Sequence, residues 1–430
     1  MRVLLTRAQY AVIDSLRPFA DHIAVLVQAN SAIDRLLPAA ASYSKYVDSR
    51  IRLSTPSKDW QSGRLREDNT KREEDYITSL IDICSRERID VILPAGDPDV
   101  YVLSKNKSRL SEHGVVALVP AFSAARVLLD KYDTIRFAER CGFPAPRTYM
   151  PKDANAFAAV LEDLPPPYVV RPRQSRHAYG FEIVATREDL PARYEAARRR
   201  FENPIIQEYI PGREKQNFYS VVGPDGKISH ISCPRIVRYH NRLFQNSSAS
   251  CISSLQHPYL GHVINMVEQL GWSGCLTVQT KIDSRDGVPK LMEINPRISA
   301  HAFYMTEVGV NAPLLAIDSW RQTGLKAAVP QEGVLFLEPI EDLFGLPLEL
   351  IDRTVFTLRT RVLNRPAIDI SNQPLPLLAT IRAYASDYFG KRKKAVDPVT
   401  RNIFSDPVPA LLTLYASGVY SLLRLPKIGR

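Results

Sequence analysis

The run Leu291-Met292-Glu293-Ile294-Asn295-Pro296-Arg297 sets a carboxylate, an amide and a guanidinium at two-residue spacing. Side chains alternate along a strand, so Glu293, Asn295 and Arg297 share one face if the backbone stays extended. Fourteen residues before Glu293 stands Gln279, in the β-prone run Leu276-Thr277-Val278-Gln279-Thr280, and the polar segment between the runs closes with Arg285-Asp286-Gly287. A three-residue loop with Gly287 in the left-handed position makes opposed residues sum to 572, which puts Gln279 directly across from Glu293. Their Cβ atoms then lie about 5 Å apart. Such oxygen ligands suit Mg²⁺, or Mn²⁺ in its place, because the ion takes few protein groups and fills its octahedron with water and substrate phosphates. Arg297 is placed to hold a carboxylate or an anionic acyl intermediate in a two-pronged hydrogen bond. The same residues would also make a surface hairpin with a glycine turn and a salt bridge.

The elements that must position this set are legible as α/β plus α+β. Val3-Leu4-Leu5 and Ile23-Ala24-Val25-Leu26-Val27 are buried-strand runs, and Glu73 to Arg86 has helical periodicity leading into Asp90-Val91-Ile92-Leu93-Pro94. Residues 1–120 therefore read as a parallel-sheet domain. No GxGxxG follows the first strand, which disfavours a dinucleotide site. The section from 121 to 330 opens with a helix over Ser123 to Cys141, stopped at Gly142. Strands Tyr168-Val169-Val170-Arg171 and Phe181 to Val184, a charged helix from Arg187 to Phe201 and the strand Pro204 to Ile210 follow. Asn217 to Val222 and Lys227 to Ser232 form a hairpin about Gly223-Pro224-Asp225-Gly226.

Read together, Gln279 with Met292 to Arg297 resembles the metal-binding hairpin of the ATP-grasp superfamily, and in particular a single module of the carbamoyl-phosphate synthase large subunit, where a glutamine takes the first ligand position. Leu128-Leu129-Asp130-Lys131-Tyr132-Asp133-Thr134 is similar to the stretch that opens the ATP-grasp fold, with Lys131 at the phosphate-binding cation. Tyr168 to Pro172 resembles the strand bearing the second cation, here Arg171. Ile205-Ile206-Gln207-Glu208-Tyr209-Ile210-Pro211-Gly212-Arg213-Glu214 resembles the hinge that meets adenine, which implies nucleotide contacts at Gln207, Glu208 and Ile210 and a ribose contact at Glu214. The resemblance further implies Gln279, Glu293 and Asn295 as metal ligands, Arg297 and Arg235 as catalytic cations, and Asp97 lining the substrate side of the cleft. Arg238, His177 and His301 are lesser candidates. Between Arg171 and Gly180 the family commonly carries a glycine-rich phosphate loop, whereas this chain has Arg173-Gln174-Ser175-Arg176-His177-Ala178-Tyr179.

The implied architecture is a Rossmann-like pre-ATP-grasp domain over 1–120, ATP-grasp lobes over 121–204 and 205–330, and a basic C-terminal extension over 331–430. The implied activity is an ATP-dependent carboxylate–amine ligation through an acylphosphate, with small-molecule acid and amine as partners. A regulatory or scaffold module that binds nucleotide without ligating is the second reading. Composition sets the outer bounds. A 430-residue chain that is 45% apolar buries a large core. The five cysteines show no zinc spacing, and the first residues lack the apolar stretch of an export signal, so a cytoplasmic setting is expected. Residues 353–430 carry 13 Lys/Arg against four Asp, nine of the net +10. No nucleic-acid partner is expected. Packing onto the body is the first reading of the uncharged run Pro407 to Leu423, interrupted by Pro407, Pro409 and Gly418, and contact with a membrane surface is the second. A homodimer is a further expectation.

Overall fold

The computed structural model describes residues 1–27, 39–53, 70–175, 179–212, 214–239, 248–298, 303–321, 325, 329–358 and 376–423. His177, His301 and Arg213 lie outside the described residues.

The N-terminal part runs β1 (Arg2–Leu5), α1 (Tyr10–Leu16), β2 (His22–Val27), β3 (Ser49–Arg52), α2 (Thr70–Glu87), β4 (Val91–Leu93), α3 (Asp97–Lys105), α4 (Lys107–Glu112) and β5 (Val116–Ala117). Its sheet has the order β3-β2-β1-β4-β5, with every pairing parallel. Helices cover both faces, which is why its inner strands read as unbroken apolar runs. The strand order reverses between β1 and β4, and α3 starts at that switch point with Asp97, where open α/β sheets present their crevice.

Next come α5 (Phe122–Leu129), α6 (Lys131–Arg140), β6 (Thr148–Tyr149), α7 (Ala154–Asp163), β7 (Tyr168–Arg171), β8 (Glu182–Val184), α8 (Leu190–Arg200) and β9 (Ile205–Glu208). The four strands form an antiparallel sheet of order β6-β9-β7-β8. The single helix expected over Ser123 to Cys141 is two, because Asp130 turns extended and its carboxylate accepts from the backbone N–H groups of Tyr132 and Asp133, capping α6. Since β9 belongs to this small sheet, the lobes part after Glu208 rather than at 204/205.

A second, larger sheet holds the remaining strands: β10 (Lys215–Val222), β11 (Ile228–Ser232), β12 (Arg235–Tyr239), β13 (Ser248–Ile252), then α9 (Leu260–Gln269), β14 (Gly274–Ile282), β15 (Pro289–Asn295), α10 (Phe303–Glu307), α11 (Ala312–Arg321) and β16 (Leu335–Leu337). The chain ends with α12 (Pro339–Thr357), α13 (Leu377–Phe389), β17 (Lys394–Val396), α14 (Pro398–Arg401) and α15 (Pro407–Leu423). The order is β15-β14-β10-β12-β13-β16-β17, with β11 paired to β10. One face buries Phe218, Val278 and Ile294 against Leu128, Ile135 and Ala138 of α5 and α6. The other buries Tyr219 and Val221 with Tyr304 and Phe336, reaching Val3 and Leu5. Each such side chain contributes about 1.5–3 kcal/mol, so both neighbouring bodies are clamped onto the sheet that carries the candidate metal ligands.

The described residues after 331 pack onto the body, because β16 and β17 complete the large sheet. Pro407 and Pro409 do not interrupt α15, since both sit in its first turn, where no backbone N–H is needed. A buried ionic cluster fastens this layer. Arg238 grips Asp342 of α12 with two hydrogen bonds of 2.6 and 2.7 Å, reaches Asp387 of α13 at 3.0 Å and stacks on Tyr384. Removing one partner leaves the others buried and uncompensated. Arg238→Ala is expected to destabilise the protein by about 3–5 kcal/mol, read as a lowered urea midpoint; an unchanged midpoint would show the cluster to be dispensable.

Candidate functional site

The hairpin β14–β15 sets Gln279 opposite Glu293, Val278 opposite Ile294 and Thr277 opposite Asn295. The register is the expected one, but it arises differently. Past Gln279 the pairing slips by one, to Thr280–Leu291, Lys281–Lys290 and Ile282–Pro289, so Met292 is an extra residue in its strand. The turn is correspondingly four residues, Ser284 to Gly287, closed by Asp283 N–H to Val288 O at 3.0 Å, with Gly287 at φ 72°. The longer turn and the bulge offset each other, and the carboxylate and amide still meet. Val278 and Ile294 point into the core, while Gln279, Glu293, Asn295 and Arg297 are half-buried on the opposite face. Asn295 Nδ2 lies 3.4 Å from Glu293 Oε1, and Arg297 Nε donates to Asp97 Oδ1 at 3.0 Å. That last contact brings the switch point of the N-terminal sheet to the same place.

Facing this set are three cations. Burial pushes Lys131 down from 10.5 to about 8, and Arg171 pushes the same way, against the opposing pull of Glu293, Asp97 and Asp130. Burial likewise lowers Arg171 and Lys215, and Glu293 is the carboxylate that supports each of them. Arg171 is buried and its Nε has no hydrogen-bond partner. A buried, unsatisfied donor on a charged group is costly, and an anion seated there would satisfy it. Sequence reasoning missed Lys215. Its signal is period two: Lys215 and Asn217 pair with Lys281 and Gln279, so both stand on the metal-capable face once the strand is begun two residues earlier than Asn217.

The start of the glycine-poor loop is tied down to α6. Lys131 N–H donates to Arg173 O at 2.9 Å, Lys131 Nζ to Ser175 O at 2.7 Å, and Arg173 pairs with Asp130 at 2.9 Å.

The hinge departs from a simple side-chain picture. Gln207 is buried and donates to Thr148 Oγ1 at 2.9 Å, and the Glu208 carboxylate lies 2.6 Å from Arg285 Nη2 and 3.5 Å from Arg147 Nε. Their main chain runs in β9 between β6 and β7, with Glu208 N–H donating to Arg147 O at 2.8 Å. Ile210 O accepts from Lys281 Nζ at 2.6 Å, and Gly212, at φ 119°, lies where a Cβ would come within 2.5 Å of Ile282 O. The chain thus threads between the two sheets at a position only glycine fills. Glu214 beyond it is exposed, its carbonyl paired to Ile282 N–H.

Arg235 is not brought to the site. It is exposed and pairs with Gln216, itself opposite Thr280, which is one step out of phase with Asn217 and Gln279. It therefore lies on the sheet face away from Glu293. Arg238 is committed to Asp342 and Asp387.

Hard oxygen donors on one strand pair, opposed by buried and half-buried cations, are what a Mg²⁺–polyphosphate needs: Gln279, Glu293 and Asn295 fit the ion and Lys131, Arg171 and Lys215 fit its phosphates. Among the described residues no three His, Cys, Asp or Glu side chains converge on a metal position, so the ion would rely on one carboxylate, two amides and the phosphates.

The fold is ATP-grasp, and the chain carries an ATP-grasp domain. Residues 236–343 match the family described as ATP-grasp in the biosynthetic pathway with Ter operon, and residues 70–118 match the PylC-like N-terminal domain. Among relatives, a D-alanine–D-alanine ligase of Delftia acidovorans (strain DSM 14801 / SPH-1) is 25% identical over 235 residues, 51% of this chain and 72% of that protein. A D-aspartate ligase of Enterococcus faecium (strain Aus0004) is 24% identical over 247 residues, 51% of this chain and 56% of that one, so the match spans little more than half its length. Among solved structures, the biotin carboxylase domain of Hydrogenobacter thermophilus 2-oxoglutarate carboxylase, solved with MgADP, ADP and bicarbonate, superposes with a TM-score of 0.58 at 16% identity, over 77% of this chain and 71% of that one. N5-carboxyaminoimidazole ribonucleotide synthetase in its ADP complex gives 0.58 at 13% identity, over 82% and 84%.

The depressed Lys131 makes nucleotide affinity pH-dependent. An ammonium that loses its proton at about 8 rather than 10.5 no longer offsets phosphate charge above that pH. MgATP affinity is expected to fall as pH rises through 8, with proton uptake on binding, and Lys131→Met is expected to abolish the step. Calorimetry over about pH 7 to 10 reads it; an affinity flat across that range contradicts the placement of phosphate on Lys131.

Proposed function

We propose that the chain is an ATP-dependent carboxylate–amine ligase. The observation that carries this reading is the cluster of Lys131, Arg171 and Lys215 around Glu293: one buried and two half-buried cations lie about the same carboxylate, an arrangement that suits a nucleotide polyphosphate. The hinge at the end of β9 meets the adenine, and Glu214 accepts from the ribose. Mg²⁺, held by Gln279, Glu293 and Asn295, neutralises phosphate charge when bound. Lys131 and Arg171 offset the rest, so the protein's part is positioning and electrostatics. A substrate carboxylate oxygen attacks the γ-phosphorus, the bond to the β–γ bridging oxygen breaks, and ADP leaves. The amine nitrogen then attacks the acyl carbon, losing a proton as phosphate departs, to give an amide. Arg297, oriented by Asp97, stabilises the acylphosphate. D-Amino acids are the first acids and amines to try, since the relatives include a D-alanine–D-alanine ligase and a D-aspartate ligase.

Glu293→Ala is expected to lower substrate-dependent ADP formation by about 10²–10³-fold or more with little change in melting temperature, whereas Arg235→Ala keeps close to the parent's rate. An active Glu293→Ala enzyme removes the metal role. ADP formation absent from the parent with every acid and amine in a broad panel, despite tight MgATP binding, would favour a nucleotide-binding scaffold instead.

A further inference from the structure

Twelve of the nineteen large apolar side chains that stand exposed among the described residues fall between Leu343 and Tyr415, in one C-terminal layer. That layer is continuous: α12 packs against α15, and Tyr388 of α13 donates to Asp342 of α12 at 2.8 Å. Val408, Leu411 and Tyr415 form a stripe along α15, a helix without a charged residue, while Leu377, Leu378 and Ile381 stand out from α13. Phe389 at 88% and Phe404 at 97% exposure lie on either side of Lys391-Arg392-Lys393-Lys394 in the chain. Isolated exposed apolar residues are ordinary, but a concentration of this size marks a docking surface.

What covers it is indicated by charge. Residues 376–423 contain three acidic side chains, and each is turned to the protein. Asp387 is buried against Arg238, Asp406 is buried and accepts from Tyr10, Ser44 and Lys45, and Asp397 caps α14 through the N–H groups of Val399 and Thr400. The cations point the other way: Arg382, Lys391, Arg392 and Lys393 are exposed. Within 376–423 the outward face therefore presents apolar and positive groups together and turns its three carboxylates inward, which is complementary to a surface with an anionic head-group layer over hydrocarbon. Among the described residues no helix is long and apolar enough to cross a membrane, so the layer lies along such a surface.

We propose that residues 376–423 dock the protein peripherally on an anionic phospholipid bilayer. The full chain is mixed at low salt with vesicles of phosphatidylcholine alone, or of equal parts phosphatidylcholine and phosphatidylglycerol, and sedimented. It is expected to pellet only with the anionic vesicles and to be released as salt rises. The charge reversal Lys391→Glu/Arg392→Glu is expected to weaken binding about tenfold or more, and Leu378→Gln/Leu411→Gln to weaken it comparably at constant net charge. All four positions are exposed, so the parent's melting temperature and MgATP affinity are expected to be retained; if the leucine pair fails that control, Phe404→Gln gives the same reading. A parent that stays in the supernatant with anionic vesicles overturns the proposal. So does undiminished binding by the leucine variant, which would mean adhesion of a basic protein without apolar docking. A parent dimer in ultracentrifugation, monomeric in the leucine variant and blind to vesicles, would assign the face to a second copy of the chain and equally overturn it.

Discussion

The arrangement depends on one register. Gln279 lies opposite Glu293 only because Met292 is accommodated as a bulge, and a slip by one residue would send the carboxylate into the core beside Val278. The core side of the hairpin forbids that slip: Val278 and Ile294 are buried against α5 and α6, so the apolar face holds the polar one in place. The same two helices carry Lys131 at the start of α6, which fixes a cation and the carboxylate relative to each other through shared packing. Arg297 and Asp97 then bind the N-terminal switch point to the end of the hairpin, so three bodies of the fold converge on one cleft.

Charge in that cleft is crowded: burial depresses Lys131, Arg171 and Lys215 together, and Arg171 disfavours the charge on Lys131. Such a cluster is held at some cost to stability, as strained electrostatics at functional sites commonly are. Phosphates seated there would relieve it. Far from the cleft, the opposite solution is used: Arg238 is matched by two carboxylates, Asp342 and Asp387, and that paired knot fastens the C-terminal layer.

Much of this was legible in the sequence where the signal is local. Period-two spacing of Glu293, Asn295 and Arg297, the glycine turn and the order of Lys131, Arg171 and the hinge all lie within short windows. Met292 carries no mark of a bulge, so the register came out right with the wrong turn beneath it. Asp130 broke a helix because its carboxylate caps α6, a role that its surrounding helical periodicity concealed. Lys215 escaped because only pairing with β14 reveals its face. Arg235 was misplaced for the matching reason: its strand was recognised, but its phase relative to Gln279 is set by β10. The prolines after 331 obscure the periodic pattern, yet Pro347 sits within α12 and Pro407 and Pro409 open α15. There tertiary packing, which no local window contains, decided the outcome.

The most direct test is a crystal structure of the protein grown with ADP and MgCl₂. The account predicts a divalent ion about 2.0–2.1 Å from carboxylate and amide oxygens of Glu293 and its neighbours Gln279 and Asn295, with phosphate oxygens on Lys131 and Arg171. A nucleotide bound with those side chains turned away from its phosphates, or seated at another cleft, would contradict it.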